Sequence, residues 1–260
     1  MADDFKDPMN TGAREWDADT YDRVSDPQFS WGMEVLDRLR LRGDEVVVDA
    51  GCGSGRVTAE LAKRLPEGRI IAVDGSEAMV EKARARLGDR ADYLVTDLAE
   101  LELAEPVDLV FSTATFHWLS DHDRLFQRLR ATLKAGGSLI AQCGGEGNVA
   151  SHTEVIAKVG ARPAFAPHLS RAKALWNFAS PKQTEARLRA AGFGEIRCWL
   201  EPKAVQPERP LEFISTVTLG PILDQLPADR RQAFAEAVLE ESESPLVLDY
   251  VRLNIEAVAV

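Results

Sequence analysis

The residues best suited to chemistry lie in one short stretch, Asp49-Ala50-Gly51-Cys52-Gly53-Ser54-Gly55, with a second acidic residue, Asp74, 19 positions beyond Gly55. Glycines without a Cβ let a ligand approach the main chain, and a helix opening just after them offers free N–H groups. A carboxylate at the end of the next strand suits the two hydroxyls of a ribose. A glycine turn alone is also what many strand-to-helix junctions need for steric reasons. Two details narrow the ligand. The glycines fall as GxGxG, with Arg56 where a dinucleotide fingerprint has its last glycine, and no GKS or GKT follows. Asp49 would repel a pyrophosphate and attract an ammonium or sulfonium.

Other reactive side chains form no recognisable constellation. The histidines are His117, His122, His152 and His168, none in HxxxH register, and Cys52, Cys143 and Cys198 lie far apart with no CxxC spacing. Neither a metal site nor a disulfide framework is expected, which agrees with a reducing, cytoplasmic location. Cys52 reads as a small packing residue within the turn.

The elements that must position the turn alternate between strand-length apolar runs and helix-period segments, the pattern of βαβ units. Strands are predicted at 45–50, 69–74, 91–95, 107–111, 138–142, 195–200 and 246–258. Helices are predicted at 56–65, 76–87, 121–133, 181–191, 211–226 and 228–241. The whole reads as an α/β fold with a seven-stranded, mainly parallel sheet and helices on both faces. Residues 1–260 are expected to form one domain, with a helical N-terminal cover (1–44), a cofactor-binding half (45–143), a lid or helical insertion (144–179) and a C-terminal half of the sheet (180–260).

In this order and at these intervals, VVVDAGCGSGRVTAEL (46–61), IIAVDGSEAMVEKAR (70–84), YLVTDLAEL (93–101), VDLVFSTATFHWL (107–119) and LKAGGSLIAQ (133–142) resemble the class I S-adenosylmethionine-dependent methyltransferases, whose sheet is Rossmann-like. The resemblance implies that Asp49, Gly51, Gly53 and Gly55 hold the amino acid part of adenosylmethionine and that Asp74, with Gly75, holds the ribose. It places Met79 on the adenine, Asp97 and Leu98 at the adenine amino group, and Ser112, Thr113 and Ala114 facing the methionine part. By residue type alone Met79 is more often a core filler and Asp97 more often a helix N-cap or turn residue.

The segment Phe116-His117-Trp118-Leu119-Ser120-Asp121-His122 and the leading Trp16-Asp17-Ala18-Asp19-Thr20-Tyr21 look like the trans-aconitate 2-methyltransferase branch and its neighbours. That resemblance implies methylation of a carboxylate oxygen, with Tyr21 over the methionine part or the acceptor. It implies Phe116, His117, Trp118, Arg171 and Trp176 near the acceptor. His117 is the candidate catalytic residue, either bonding the acceptor or acting as base toward a hydroxyl or amine; its structural alternative is a loop histidine packed at the sheet edge. His122, at a helix start, reads as a solvated or capping residue. An anionic acceptor calls for cations, and Arg162, Arg171 and Lys173 are the candidates in the insertion, with Trp176 and Phe178 as apolar walls.

A formal net charge of −11 with no dense Lys/Arg cluster argues against nucleic acid as a partner. No run approaches the roughly 20 apolar residues of a membrane span. The expected partner is a small-molecule acceptor, with adenosylmethionine as cofactor, adenosylhomocysteine as product and no metal. The chain is expected to be a monomer or homodimer. A cofactor-binding protein without catalysis is the remaining, non-enzymatic reading.

Overall fold

The computed structural model describes residues 25–169 and 176–260. Strand β1 (Val46–Ala50) is three consecutive valines followed by Asp49 and Ala50, a run that suits a strand covered on both faces. It is followed by α2 (Arg56–Arg64), β2 (Arg69–Asp74), α3 (Glu77–Leu87), β3 (Asp92–Val95) and β4 (Val107–Thr113). Helix α1 (Asp26–Leu36) precedes them. Then come α4 (His122–Thr132), β5 (Leu133–Gly144), α5 (Ala150–Gly160), α6 (Pro181–Ala190), β6 (Phe193–Val205), α7 (Ala228–Glu241) and β7 (Leu248–Ala259).

The strands form one seven-stranded sheet in the order β3-β2-β1-β4-β5-β7-β6. Pairs within β1 to β5 are parallel, and β7 runs antiparallel between β5 and β6. The chain winds outward from β1 through β2 to β3, then returns to β4 on the other side of β1. The carboxyl ends of β1 and β4 therefore flank the topological switch point, where ligands settle in open parallel sheets.

Both faces of the sheet are covered, as the sequence predicts. Leu125, Phe126 and Leu129 of α4 and Leu188 of α6 pack on one face. Val35 and Leu36 of α1, Leu61 of α2 and Leu87 of α3 pack on the other. A third apolar cluster joins Ile156 and Val159 of α5 to Phe234 and Val238 of α7, and reaches Trp31 and Tyr250. Within residues 144–179 the described elements are α5, built into this cluster, and a short helical turn at Ala166–Leu169.

Several boundaries differ from expectation. Strand β5 begins at Leu133 instead of 138, because Leu133 pairs with Val107 before an irregularity shifts the register at Leu109. Strand β6 extends to Val205 through Pro202, which an edge strand tolerates. The long helix expected over 211–226 is broken into Pro210–Phe213, a π-helical turn Ile214–Thr218 and Gly220–Leu223. Pro221, with no N–H to donate, allows a helix to begin there and not to pass through.

Candidate functional site

The turn after β1 is fastened to β2 by its own amides. Gly51 and Cys52 N–H both donate to Val73 O, at 2.8 and 2.9 Å. The three glycines are all at positive φ, but a side chain would meet different things at each. At Gly51 a Cβ would lie 2.0 Å from Thr115 Oγ1, so the loop after β4 sits directly over the turn. At Gly55 it would press on Ala83 Cα at 3.0 Å, so this glycine serves the packing of α2's start on α3. At Gly53 nothing among the described residues, its chain neighbours aside, lies within 4 Å, which leaves room for a ligand.

Asp74 closes the other side. Its two carboxylate oxygens accept from Gly53 N–H and Ser76 N–H, each at 2.9 Å, which fixes the carboxylate in orientation. Gly75 makes the bend between them. Met79 is buried in the first turn of α3, where its N–H donates to the capping Ser76 Oγ at 3.3 Å. Asp97 is exposed and caps a short 3-10 turn by accepting from Ala99 N–H at 2.8 Å, while Leu98 enters the core.

Asp49 is the electrostatic anomaly of the site. It is 2% exposed, and Thr58 Oγ1 donates to its carboxylate at 2.6 Å. Burial pushes its pKa up to about 7; the Thr58 hydrogen bond opposes the shift and the Asp74 carboxylate adds to it. A ligand ammonium would supply the compensating charge. A buried acid in need of a cation, an open glycine and an oriented carboxylate for a ribose together fit adenosylmethionine. Among the described residues no cluster of three or more His, Cys, Asp or Glu converges as metal ligands.

Ser112 is not available as the resemblance implies. Its hydroxyl is buried and donates to Ala50 O at 2.6 Å, tying β4 to β1. Phe116 is 1% exposed and meets Phe126 edge-on in the core beneath α4, away from the cavity. His122 is not solvated. It is buried, its Nε2 lies 2.9 Å from Phe116 O, and Asp121 performs the capping by accepting from Arg124 N–H. Arg162 pairs with Glu241 on α7 and does not reach the cavity. Trp16, Tyr21, Arg171 and Lys173 lie outside the described residues.

A cavity opens at the carboxyl ends of β4 and β5; its lining does not include the glycine turn. Ala114, His117 and Trp118 line it from the loop after β4, and Trp176 and Phe178 from the segment before α6. Val149, Val217 and Thr218 form a further wall. The sequence reading named none of these last three, nor Asn148, nor Gln28 on α1, nor Tyr250 and Arg252 on β7. Arg252 is 2% exposed, and its guanidinium lies over the Trp31 ring, 4.7 Å from the centroid. The Gln28 amide oxygen is a buried acceptor with no hydrogen-bond partner among the described residues. A hint of β7's role was present in its alternation: Tyr250, Arg252, Asn254 and Glu256 share one face, opposite Val251, Leu253, Ile255 and Ala257.

His117 is held on every side. Asn177 N–H donates to its carbonyl at 2.9 Å, and its ring packs between Trp118 and Phe178, with centroids at 5.0 and 5.8 Å. Gly144 N–H donates to its Nδ1 at 3.2 Å. Burial holds its pKa well below the usual histidine range, with smaller contributions from the charge of Arg252 and from His122. The ring is therefore neutral at physiological pH, with its proton on Nε2.

A methyltransferase-domain family model matches residues 47–137. The chain is similar to a trans-aconitate 2-methyltransferase of Methylobacterium nodulans, 31% identical over 94% of this chain and 98% of that one. It is also similar to a protein of the same name from Variovorax paradoxus, 29% identical over 85% and 86%. In fold it matches the YcgJ protein of Bacillus subtilis with a TM-score of 0.63 at 15% identity, over 88% and 97% of the two chains. With the sheet order, the glycine turn and these relatives in agreement, the chain belongs to the class I S-adenosylmethionine-dependent methyltransferases and acts on a small molecule.

Proposed function

We propose that this enzyme methylates a carboxylate oxygen of an organic acid to give a methyl ester. The observation that carries the reading is the hydrogen bond from Gly144 N–H to His117 Nδ1. It reserves the Nδ1 lone pair for the main chain and leaves the proton on Nε2, so His117 offers the cavity a donor. A general base toward a hydroxyl or amine would need the opposite tautomer, with Nδ1–H pointing at Gly144 N–H. A carboxylate needs no base, since it is ionised at neutral pH, and it accepts hydrogen bonds readily.

Adenosylmethionine supplies a methyl group on a cationic sulfur, an electrophile that needs no further activation. The chain's own task is to bind and orient. Asp49 and Asp74 receive the ammonium and the ribose, with Gly53 leaving space between them. His117 Nε2–H would donate to an anionic acceptor in the cavity whose wall also holds Arg252, while Trp118, Trp176 and Phe178 would exclude water. Alignment and desolvation are sufficient sources of acceleration for such a transfer. The name shared by the two curated relatives, which refers to methylation of a carboxylic acid, supports the same reading.

The test is a pH–rate profile with a carboxylic acid acceptor, read by adenosylhomocysteine release and by alkali-labile methyl ester. Between pH 6 and 8 the acceptor limb is expected to be flat. Replacing His117 by Gln keeps a donor and retains more activity than replacing it by Ala. A limb with a histidine-like pKa that vanishes in His117→Gln would refute the reading.

A further inference from the structure

Two side chains on the cavity wall have their polarity fixed by the main chain. Gly144 N–H donates to His117 Nδ1 at 3.2 Å, and Val251 N–H donates to Asn148 Oδ1 at 2.9 Å. A backbone N–H can only donate, so the atom it meets must be an acceptor. The imidazole therefore carries its proton on Nε2, and the Asn148 amide is left with its NH2 group as a donor. Asn148 is 4% exposed and lines the cavity, yet its Nδ2 donates to no described residue. From this pairing we infer that Asn148 is an acceptor-binding residue, and that its Nδ2–H and His117 Nε2–H together seat the carboxylate. The inference rests on the carboxylate reading above and adds the second donor.

Gly144 is where the two donors meet. Its amide holds the His117 ring, and a Cβ on it would lie 2.9 Å from Asn148 Nδ2 and 2.7 Å from Phe178 Cε1. A bare Cα lets the amide, the imidazole and the Phe178 ring crowd around one residue. Thr218, on the same wall, is engaged differently. Its hydroxyl donates to Ile214 O at 3.1 Å and lies 2.9 Å from His152 Nε2, so its one proton is used within the chain.

The turn that carries Asn148 is strained. Gly145 N–H donates to Val251 O and Val149 N–H to Asp249 O, each at 3.0 Å, and Asn148 N–H closes the turn onto Gly145 O at 2.9 Å. Val149 is held at a φ of 48°, a left-handed conformation that β-branched residues rarely enter. Strain of this kind persists where surrounding bonds over-determine it, and it clusters at ligand sites. Here it accompanies the turn that sets Asn148 on the wall.

Two N–H donors suit a carboxylate better than other nucleophiles. A carboxylate has about four lone-pair sites on its two oxygens, so two can be held while another attacks the sulfonium methyl. The methyl–sulfur bond then breaks with its electron pair passing to sulfur, and no proton moves. An amine has a single lone pair, and a donor bound to it would block the attack.

The experiment uses the full chain with saturating adenosylmethionine at each pH and reads kcat and KM by adenosylhomocysteine release. Acceptors are trans-aconitate, citrate, hexanoate, 3-phenylpropanoate, 2-phenylethanol and 2-phenylethylamine. Asn148→Asp keeps the acceptor for Val251 N–H and puts a carboxylate oxygen in place of the donor. For the best acid its KM at pH 8 is expected to rise at least about tenfold, with kcat and the Kd for adenosylhomocysteine each within about threefold. Toward pH 5.5 the introduced carboxyl, its pKa raised by burial, protonates and can donate again. The KM ratio of variant to unaltered protein is therefore expected to fall at least about threefold. Burial keeps His117 and His152 neutral over this range and Arg252 stays charged, while Asp249 and the exposed Glu146 are common to both proteins and cancel in the ratio. A KM ratio below about tenfold at pH 8, or one that does not fall with pH, overturns this inference and leaves the carboxylate reading standing. Turnover of the alcohol or amine with inert acids overturns both. If the variant does not fold or no acceptor turns over, the unaltered protein labelled with 15N-asparagine decides. The Asn148 NH2 signals, assigned by their NOE to the Val251 amide, are expected to move downfield when an acid is added to the adenosylhomocysteine complex and to stay in place with 2-phenylethanol. Signals that no acid moves overturn the inference.

Discussion

Replacing Asp49 by Asn should stabilise the ligand-free protein above neutral pH while crippling its hold on the cofactor. The carboxylate is fully desolvated, accepts a 2.6 Å hydrogen bond from Thr58, feels Asp74 across the turn, and lies beside the Cys52 thiol, which burial and the same two carboxylates push up. Its pKa moves from 3.8 in the unfolded chain to about 7 in the folded one. Between those values the native state binds more protons than the unfolded state, so this group's contribution to stability falls as pH rises from about 4 to about 7. At about 1.4 kcal/mol per unit, three units amount to an upper figure of roughly 4 kcal/mol lost by pH 8. Asn accepts the Thr58 hydrogen bond without the charge and escapes that loss. In a domain of this size each kcal/mol moves Tm by about 2–4 °C, so Asp49→Asn should melt several degrees higher at pH 8 and nearly unchanged at about pH 3.5. Its affinity for adenosylhomocysteine should fall by a factor on the order of 30 to 1,000, the usual loss when one partner of a buried charge pair is removed. In the unaltered protein the same Kd should improve by up to tenfold per unit from pH 5 to 7, with about one proton released on binding at the low end. Calorimetric titration in two buffers and thermal melts at both pH values measure all of this. A variant that melts lower at pH 8, or a Kd flat from pH 5 to 7, would refute the reasoning.

Gly53→Ala should keep the fold at a cost of about 1–2 kcal/mol for the left-handed backbone, because among the described residues, its chain neighbours aside, none lies within 4 Å of the new methyl. Its cofactor Kd should nevertheless rise more than tenfold, read by calorimetry. Gly55→Ala should instead lose about 2–4 kcal/mol in denaturant melts, since strain adds to the clash with Ala83. Ser112→Ala should cost about 1–3 kcal/mol of stability by leaving the buried Ala50 carbonyl without its donor, with the Kd for adenosylhomocysteine within threefold of the original. Arg252→Lys keeps the charge and loses the planar fork; it should raise the KM for an acid acceptor about tenfold and change kcat less than threefold in steady-state assays.

The cofactor half of the site was legible because each of its requirements is written in a residue type at a fixed spacing. Asp49, Gly51, Gly53 and Asp74 fall where β1 and β2 end, and the strands themselves announce those ends. Even here the residue types did not reveal their own causes. Gly55 looks like a ligand-facing glycine in the sequence, whereas α3 packs against it; Ser112 looks like a ligand contact, whereas its hydroxyl bridges two strands. Spacing specifies that a small or polar residue belongs at a position and leaves open which neighbour demands it. His122 illustrates the same gap: its burial arises from the fold of the loop that brings Phe116 O within 2.9 Å of its ring.

The acceptor half was largely illegible because it is assembled across the sheet by topology. Gln28, the 114–118 loop, Val149, Trp176 and Arg252 come from distant parts of the chain and share no motif. Arg252 depends most on this. It reaches the ligand crevice because β7 inserts antiparallel between β5 and β6, which brings the first half of β7 to the carboxyl end of the parallel strands and sets Arg252 opposite Gly144. Gly144 is also the residue whose amide fixes the His117 tautomer, so one register position sets both Arg252 and the His117 donor of the proposed acceptor site. A slip of one residue in that pairing would turn Arg252 toward the apolar layer that now receives Leu253 and Ile255. The apolar cost of that slip on the α4 and α6 face is what pins the register, and through it the chemistry of the cavity on the opposite face.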